Sequence, residues 1–313
     1  MDLIQIGKSV LSSCMDVKAG ESVLVITDDK KLPIGNALYQ AAKELGAEAL
    51  LMTMEPRKVS GEEPPAVVAA AMLAADVIVC PMSTSITHTK AKIAAVQAGA
   101  RIATMPGISE DMFSQGAMTA DYDVVLELTH RVTDLLSKAS TARIEKAGHV
   151  LTLDLTGRPG VPSPGVYREK GQGGNLPSGE AYIAPLEDSS NGTMVIDGSM
   201  VGVGLLSSPL TVTVKDGRLQ SITGADADKL GILLENENNA TLCELGIGTN
   251  YAARLTGIIL EDEKAYHTVH IAFGTNIGFG GTNKAGCHMD GIIKDPTLYL
   301  DDVLVLKDGE FQI

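Results

Sequence analysis

Five residues in the C-terminal half have the types and spacing of a metal site: Glu180, Glu244, His270, His288 and Asp290. His267, His270 and His288 are half of the six histidines in the chain, and Asp290 follows them closely. His288 and Asp290 are spaced i, i+2, which on an extended strand points both side chains to one face, as sharing one cation requires. His270 sits in the apolar run Thr268–Phe273, where a histidine is either a satisfied core residue or a ligand. Glu180 is the sole charge in Asn175–Pro185, and Glu244 the sole charge in Ala240–Gly248. An ionised carboxylate inside an apolar segment is costly to bury unless it is paired or binds metal. Taken singly, each glutamate also fits the solvent face of an edge strand, and a His-x-Asp pair arises often by chance. As a set, the three carboxylates and two imidazoles match a hydrolytic site for one or two divalent ions.

The elements that must position these residues fall into two rhythms. Residues 1–145 alternate β-branched runs (Ser22–Asp28, Ala47–Met54, Asp76–Cys80, Arg101–Met105) with helical patterns at Leu32–Leu45, Pro65–Ala75, Thr89–Ala98 and about Ala120–Ala142. Near-continuous apolar strands joined by helices predict an α/β, Rossmann-like domain with a mostly parallel sheet. Residues 146–313 predict a β-rich α+β domain. His149–Leu155, Leu210–Val214 and Leu219–Ile222 alternate polar with apolar residues, and Asp216-Gly217 is a hairpin turn signal. Short helices are expected at Ala225–Asn236 and near Gly257–Lys264. Gly157–Pro177, rich in glycine and proline, reads as a long functional loop or lid, with a mobile surface loop as the alternative.

The first domain offers little chemistry of its own. The chain after Ser22–Asp28 carries neither GxGxxG nor GxxxxGK[ST], so the domain reads as scaffold rather than a dinucleotide site. Ser83–Lys90 follows a strand and includes His88. It is read as the cap of the next helix, or as a loop lining a ligand cleft at the carboxyl end of the sheet.

Composition excludes whole classes of partner. The 313 residues are 44% hydrophobic, and 25 Lys and Arg stand against 39 Asp and Glu, a formal charge of −14. That balance repels phosphate backbones and anionic lipid, so neither nucleic acid nor a membrane is expected as partner. No apolar stretch reaches the ~20 residues of a membrane span. The N-terminus lacks the pattern of a signal peptide, and Cys14, Cys80, Cys243 and Cys287 show no disulfide or zinc spacing. A cytoplasmic protein is expected.

Asn175–Glu180 (NLPSGE), the CELG around Glu244, the VHIAFG around His270 and the HMD of His288–Asp290 resemble the aminopeptidase T family of metallopeptidases. The resemblance spans the chain and maps the family's ligands onto Glu180, Glu244, His270, His288 and Asp290. It implies a homodimeric metallo-aminopeptidase that holds one or two Zn, Co or Mn ions and releases N-terminal residues from small peptides. Metal-activated water would be the nucleophile, with Glu180 as the catalytic proton shuttle. His267 falls outside the ligand pattern. The family's longer members carry a tyrosine where this chain has Ile277. The family also resembles a 2,5-dihydroxypyridine dioxygenase, a mononuclear Fe(II) enzyme for which His270, His288 and Asp290 would supply the two-histidine, one-carboxylate triad. A third reading is a dimer that binds a small ligand without catalysis.

Overall fold

The computed structural model describes residues 2–313 and divides into two compact units. The first takes in the chain up to Leu126 together with Gly165–Ser178; the second takes in Glu127–Pro164 and Gly179–Ile313. The chain passes from unit to unit three times, whereas the sequence reading places one passage near residues 143–148. Two features account for the difference: the helix Tyr122–Lys138 runs through the first passage, and a later segment returns to the first unit.

The first unit is an α/β domain built on five parallel strands: β1 (Ser22–Asp28), β2 (Glu48–Met54), β3 (Val77–Met82), β4 (Arg101–Pro106) and β5 (Gly173–Asn175). Their order is β2-β1-β3-β4-β5, with every pairing parallel. β1, β3 and β4 are buried almost throughout, as their apolar runs demand, while β2 at the edge is half exposed. β5 comes from within Gly157–Pro177, and that segment is docked rather than a free lid. The Tyr167 hydroxyl donates to the Asn175 carbonyl at 2.8 Å, and Arg168 donates to Ser13 O and Asp123 Oδ1. Gly173 permits the close pairing with β4, since a Cβ there would lie 2.8 Å from Ile102 O. His88 and Lys90 are both exposed, and between them Thr89 caps the helix Lys90–Gln97, its side chain accepting from the Lys92 amide.

The second unit is the β-rich domain. An eight-stranded sheet includes the hairpins Thr141–Lys146/His149–Asp154 and Leu210–Lys215/Arg218–Thr223. Asp216 and Gly217, at φ 48° and 72°, form the second hairpin's turn, the left-handed pair a two-residue connection favours. A seven-stranded sheet contains β6 (Glu180–Ile183), β7 (Leu242–Gly248), β8 (Thr268–Gly274) and β9 (His288–Lys294), adjacent in the order β9-β8-β7-β6. One apolar cluster joins residues of both sheets, such as Leu153, Met194 and Val212 with Leu245, Ile271 and Phe273. Val132 and Leu136 of the Tyr122–Lys138 helix pack into the same cluster. Among the described residues, no helix is long and apolar enough to cross a membrane.

Candidate metal centre

The four central strands of the seven-stranded sheet separate core from chemistry by alternation. Ala181, Ile183, Leu245, Ile247, Val269, Ile271, Phe273, Met289 and Ile293 belong to the apolar cluster. The residues between them, Glu180, Tyr182, Glu244, His270, His288 and Asp290, therefore face the other way. Antiparallel register then sets them side by side. Glu244 and Asp290 both pair with Ala272 from opposite sides, while His270 lies opposite Gly246, which in turn lies opposite Tyr182. A β-bulge at Cys243 is needed for this, because Leu242 packs in the core while Glu244, two residues on, faces the site.

Two glycines make room. A Cβ on Gly246 would sit 2.0 Å from His270 Nε2, so the imidazole lies over bare backbone. A Cβ on Gly248 would meet Ala265 O at 1.9 Å, where the chain carrying Lys264 crosses β7.

The five residues named from sequence converge. His270 Nε2 lies 3.3 Å from Glu244 Oε1 and 3.6 Å from Glu180 Oε2. His288 Nε2 lies 3.4 Å from Glu244 Oε2 and 3.5 Å from Asp290 Oδ1. These separations lie at or beyond the long end of good hydrogen bonds. The shorter two fall within, and the longer two just above, the roughly 3.0–3.4 Å that separates donor atoms about 2.1 Å from a shared ion. Glu180 Oε2, His270 Nδ1 and Asp290 Oδ1 are buried with no hydrogen-bond partner, although buried polar groups are almost always satisfied. His288 directs Nδ1 at the Thr275 carbonyl, 2.8 Å away, which places a proton there and makes Nε2 the nitrogen that would ligate a metal. Donor set, spacing and orphaned atoms all fit a divalent metal.

The electrostatics agree. Burial disfavours charge on every member, yet the opposite charges overcome it. Hydrogen bonding to Glu244, with the charges of Glu180 and Asp290, pushes His270 up to about 9. Burial likewise opposes ionisation of Asp290, but His288 holds it down at about 2. Glu244 is kept below the usual carboxylate range by hydrogen bonds from both imidazoles, again against burial.

Sequence reasoning missed Lys264 and Glu263. Lys264 is 1% exposed; its ammonium donates to Glu180 Oε1 at 2.5 Å and also to Glu263. Burial pushes Glu263 up to about 7 even though Lys264 pulls it down. The run Glu261-Asp-Glu-Lys264 reads as a solvated helical turn, and only the cost of burying such charges around Glu180 hints otherwise. Phe279 was also missed: its ring meets Tyr182 edge-on at 5.4 Å and lies 6.1 Å from His288. Its loop is pinned by Glu187, which accepts from Asn276 Nδ2, the Thr282 amide and Arg158. His267 lies away from the cluster, 3.4 Å from Glu310. Ile277, at the tyrosine offset, is exposed.

A family model described as NicX, 2,5-dihydroxypyridine 5,6-dioxygenase, matches residues 2–313. The chain belongs to this 2,5-dihydroxypyridine 5,6-dioxygenase family. A curated 2,5-dihydroxypyridine 5,6-dioxygenase from Pseudomonas putida is 27% identical over 198 residues, 56% of this chain and 55% of that protein. The chain thus aligns with little more than half the length of this relative. The solved 2,5-dihydroxypyridine dioxygenase of Pseudomonas putida KT2440 shares the fold, with TM-score 0.82 and 22% identity over 99% of this chain and 96% of that one. Aminopeptidase T of Thermus thermophilus also shares it, with TM-score 0.72 and 15% identity over 99% of both chains.

Membership in the dioxygenase family overturns the expectation of a metallo-aminopeptidase. The family is one of oxidoreductases, not hydrolases, and the role of Glu180 as proton shuttle in peptide hydrolysis falls with it. The donor types misled because the imidazoles and carboxylates that hold a hydrolytic ion also hold a redox one.

Proposed function

We propose that this chain is a ring-cleaving dioxygenase for 2,5-dihydroxypyridine or a closely similar hydroxylated N-heterocycle. It would use one Fe(II) held by His270, His288 and Asp290, with Glu244 beside them. The observation that carries this reading is the match of the dioxygenase family model across residues 2–313. Two imidazoles and a carboxylate with open positions are typical of non-haem Fe(II) oxygenases, which supports the choice of metal. When bound, Fe(II) supplies the one-electron chemistry that lets O₂ react with a closed-shell aromatic ring.

The chain's own groups bind and orient. Thr275 O fixes the His288 tautomer. Glu244, ionised and lying between the two imidazoles, would accept a hydrogen bond from a ring hydroxyl as substrate binds. Phe279, 6.1 Å from His288 and edge-on to Tyr182, offers an aromatic wall against which a flat heterocycle would stack. Burial, and then the nearby Glu180 charge, raise the Tyr182 phenol, so it stays protonated and able to donate to a ring oxygen or nitrogen.

The test is to load the protein anaerobically with Fe(II), add 2,5-dihydroxypyridine, and admit ¹⁸O₂. The expected result is loss of the ring absorbance, one O₂ consumed per ring opened, and both labelled atoms in the product. Unchanged absorbance and no oxygen uptake with Fe(II)-loaded protein would sink the proposal.

A further inference from the structure

The Lys264 ammonium sits between Glu180 and Glu263, beside the candidate metal centre. Among the described residues, two groups of donors each hold their ligand atoms within 4.8 Å of one another: Glu244, His270 and Asp290, and Glu180, Glu263 and His270. The groups share His270, so they adjoin. The first has no cation of its own apart from the imidazoles. The second is filled, since the Lys264 ammonium hydrogen-bonds both Glu180 and Glu263.

The placement of Lys264 is built in rather than incidental. The Asn250 amide donates to Lys264 O at 2.9 Å, and the Lys264 amide donates to Glu261 O at 3.0 Å. Gly248 lets this backbone approach β7, because a Cβ there would come within 2.9 Å of the Lys264 carbonyl carbon. A lysine side chain is rarely buried this completely unless paired. Isolated in such a site it would lose its proton, but here carboxylates hold it charged.

We infer that Lys264 is a tethered second cation that occupies the Glu180–Glu263 position and limits the site to one metal ion. Glu180, Glu244, Glu263 and Asp290 could supply four negative charges, which two divalent ions would match. Lys264 fills one of those two places with a single, fixed charge that cannot dissociate or activate water as a Lewis acid. It also takes up Glu180 Oε1, leaving Oε2, the atom without a partner, to face His270. Lys264 is thus a positioning residue. It selects mononuclear redox chemistry over the two-ion arrangement that serves hydrolysis. This deepens the reading of the site as a one-iron oxygenase and rests on it only for the identity of the metal.

The count of bound metal tests the inference without substrate or oxygen. Wild-type protein and the variants Lys264→Met and Lys264→Gln are stripped with chelator, titrated with Mn(II), and measured by elemental analysis and electron paramagnetic resonance. Wild type is expected to bind one equivalent, with the spectrum of an isolated ion. The variants are expected to bind two, with the spectrum broadened by coupling between neighbouring ions. Two equivalents in the wild type would overturn the inference, as would one equivalent in whichever variant folds. A wild type with one Mn(II) that fails to open the ring when loaded with iron would defeat the proposed reaction and leave the role of Lys264 standing. Ring opening by a wild type that binds two ions would do the reverse.

Discussion

Asp28 and Asp290 are both buried aspartates on strands, and the molecule treats them in opposite ways. Asp28 ends β1 in the first unit and is fully buried. Its carboxylate accepts from the Ser83 amide at 2.5 Å, the Ser83 hydroxyl at 2.9 Å and the Lys30 amide at 3.0 Å. Asp290, on β9 of the second unit, is 5% exposed, and its Oδ1 has no hydrogen-bond partner. Backbone and hydroxyl donors fully serve the first, which ties β1 to the turn after β3. The second faces the His288 imidazole at 3.5 Å, long for a hydrogen bond and suited to a shared ion. Burial of a carboxylate therefore does not mark a site; a buried carboxylate left without donors does.

The sharpest way to break this comparison is to neutralise both. Asp290→Asn is expected to lower Fe(II) affinity by more than the roughly 100-fold that loss of an outer hydrogen-bond partner costs, and to abolish oxygen uptake. Asp28→Asn is expected to leave metal binding unchanged and to cost about 1–3 kcal/mol of stability through mismatched donors. Metal titration and denaturant unfolding of both variants check this. Equal metal loss in the two would erase the distinction between them.

The next largest effect is expected from Gly246→Ala, which sharpens the comparison by moving a ligand without removing it. The added methyl would have to share space with His270 Nε2, 2.0 Å away, and the ring must rotate off the site. Overpacking of this kind costs about 1–3 kcal/mol of stability, and metal affinity falls far more than that figure implies. A crystal structure with His270 unmoved, or unchanged metal affinity, would count against the argument.

How far the sequence betrays all this depends on whether a residue's partners are local. The five donor positions are legible because Glu180, Glu244 and His270 are isolated ionisable residues in apolar runs and His288 and Asp290 share one strand face at i, i+2 spacing. The strands β1, β3 and β4 are legible as continuous apolar runs. Lys264 and Glu263 are not, because a run of charges looks alike whether it meets water or a buried carboxylate. The bulge at Cys243 is invisible, since its evidence is the register of β7 against β8. β5 is hidden for a different reason: Gly-Gly-Asn has no strand pattern, and only the fit of Gly173 against Ile102 makes it one. The reaction is least legible, because the donors fit either chemistry and only comparison with whole families separates them.

A smaller effect is expected at Glu187, which holds the Phe279 loop and touches none of the five donors. Glu187→Ala releases the Thr282 amide, Asn276 and Arg158 together. Metal content should stay at the wild-type level while KM for the heterocycle rises about 10-fold, the equivalent of roughly 1.4 kcal/mol of lost positioning. Loss of metal instead would mean that the loop holds His288 rather than the substrate wall.

The mildest test changes only the pH. In the metal-free site the neighbouring carboxylates outweigh burial and raise both imidazoles, His270 to about 9. Each must surrender a proton before its Nε2 lone pair can reach a metal, so binding at pH 7 should release about two protons per ion. The sign follows from the direction of the shift. A raised folded-state value means that the His270 contribution to metal-free stability is complete below about 6.5 and fades as pH rises through about 9. Metal affinity moves the opposite way, strengthening with pH until His270 is neutral, after which its share of the proton release disappears. Calorimetric titration with Mn(II) in buffers of different ionisation enthalpy measures the protons directly. The Asp28→Asn variant should give the same count as wild type, since its carboxylate lies in the other unit and serves only backbone and hydroxyl donors. A count near zero in the wild type would mean that the imidazoles are already neutral and that the carboxylates face one another without them.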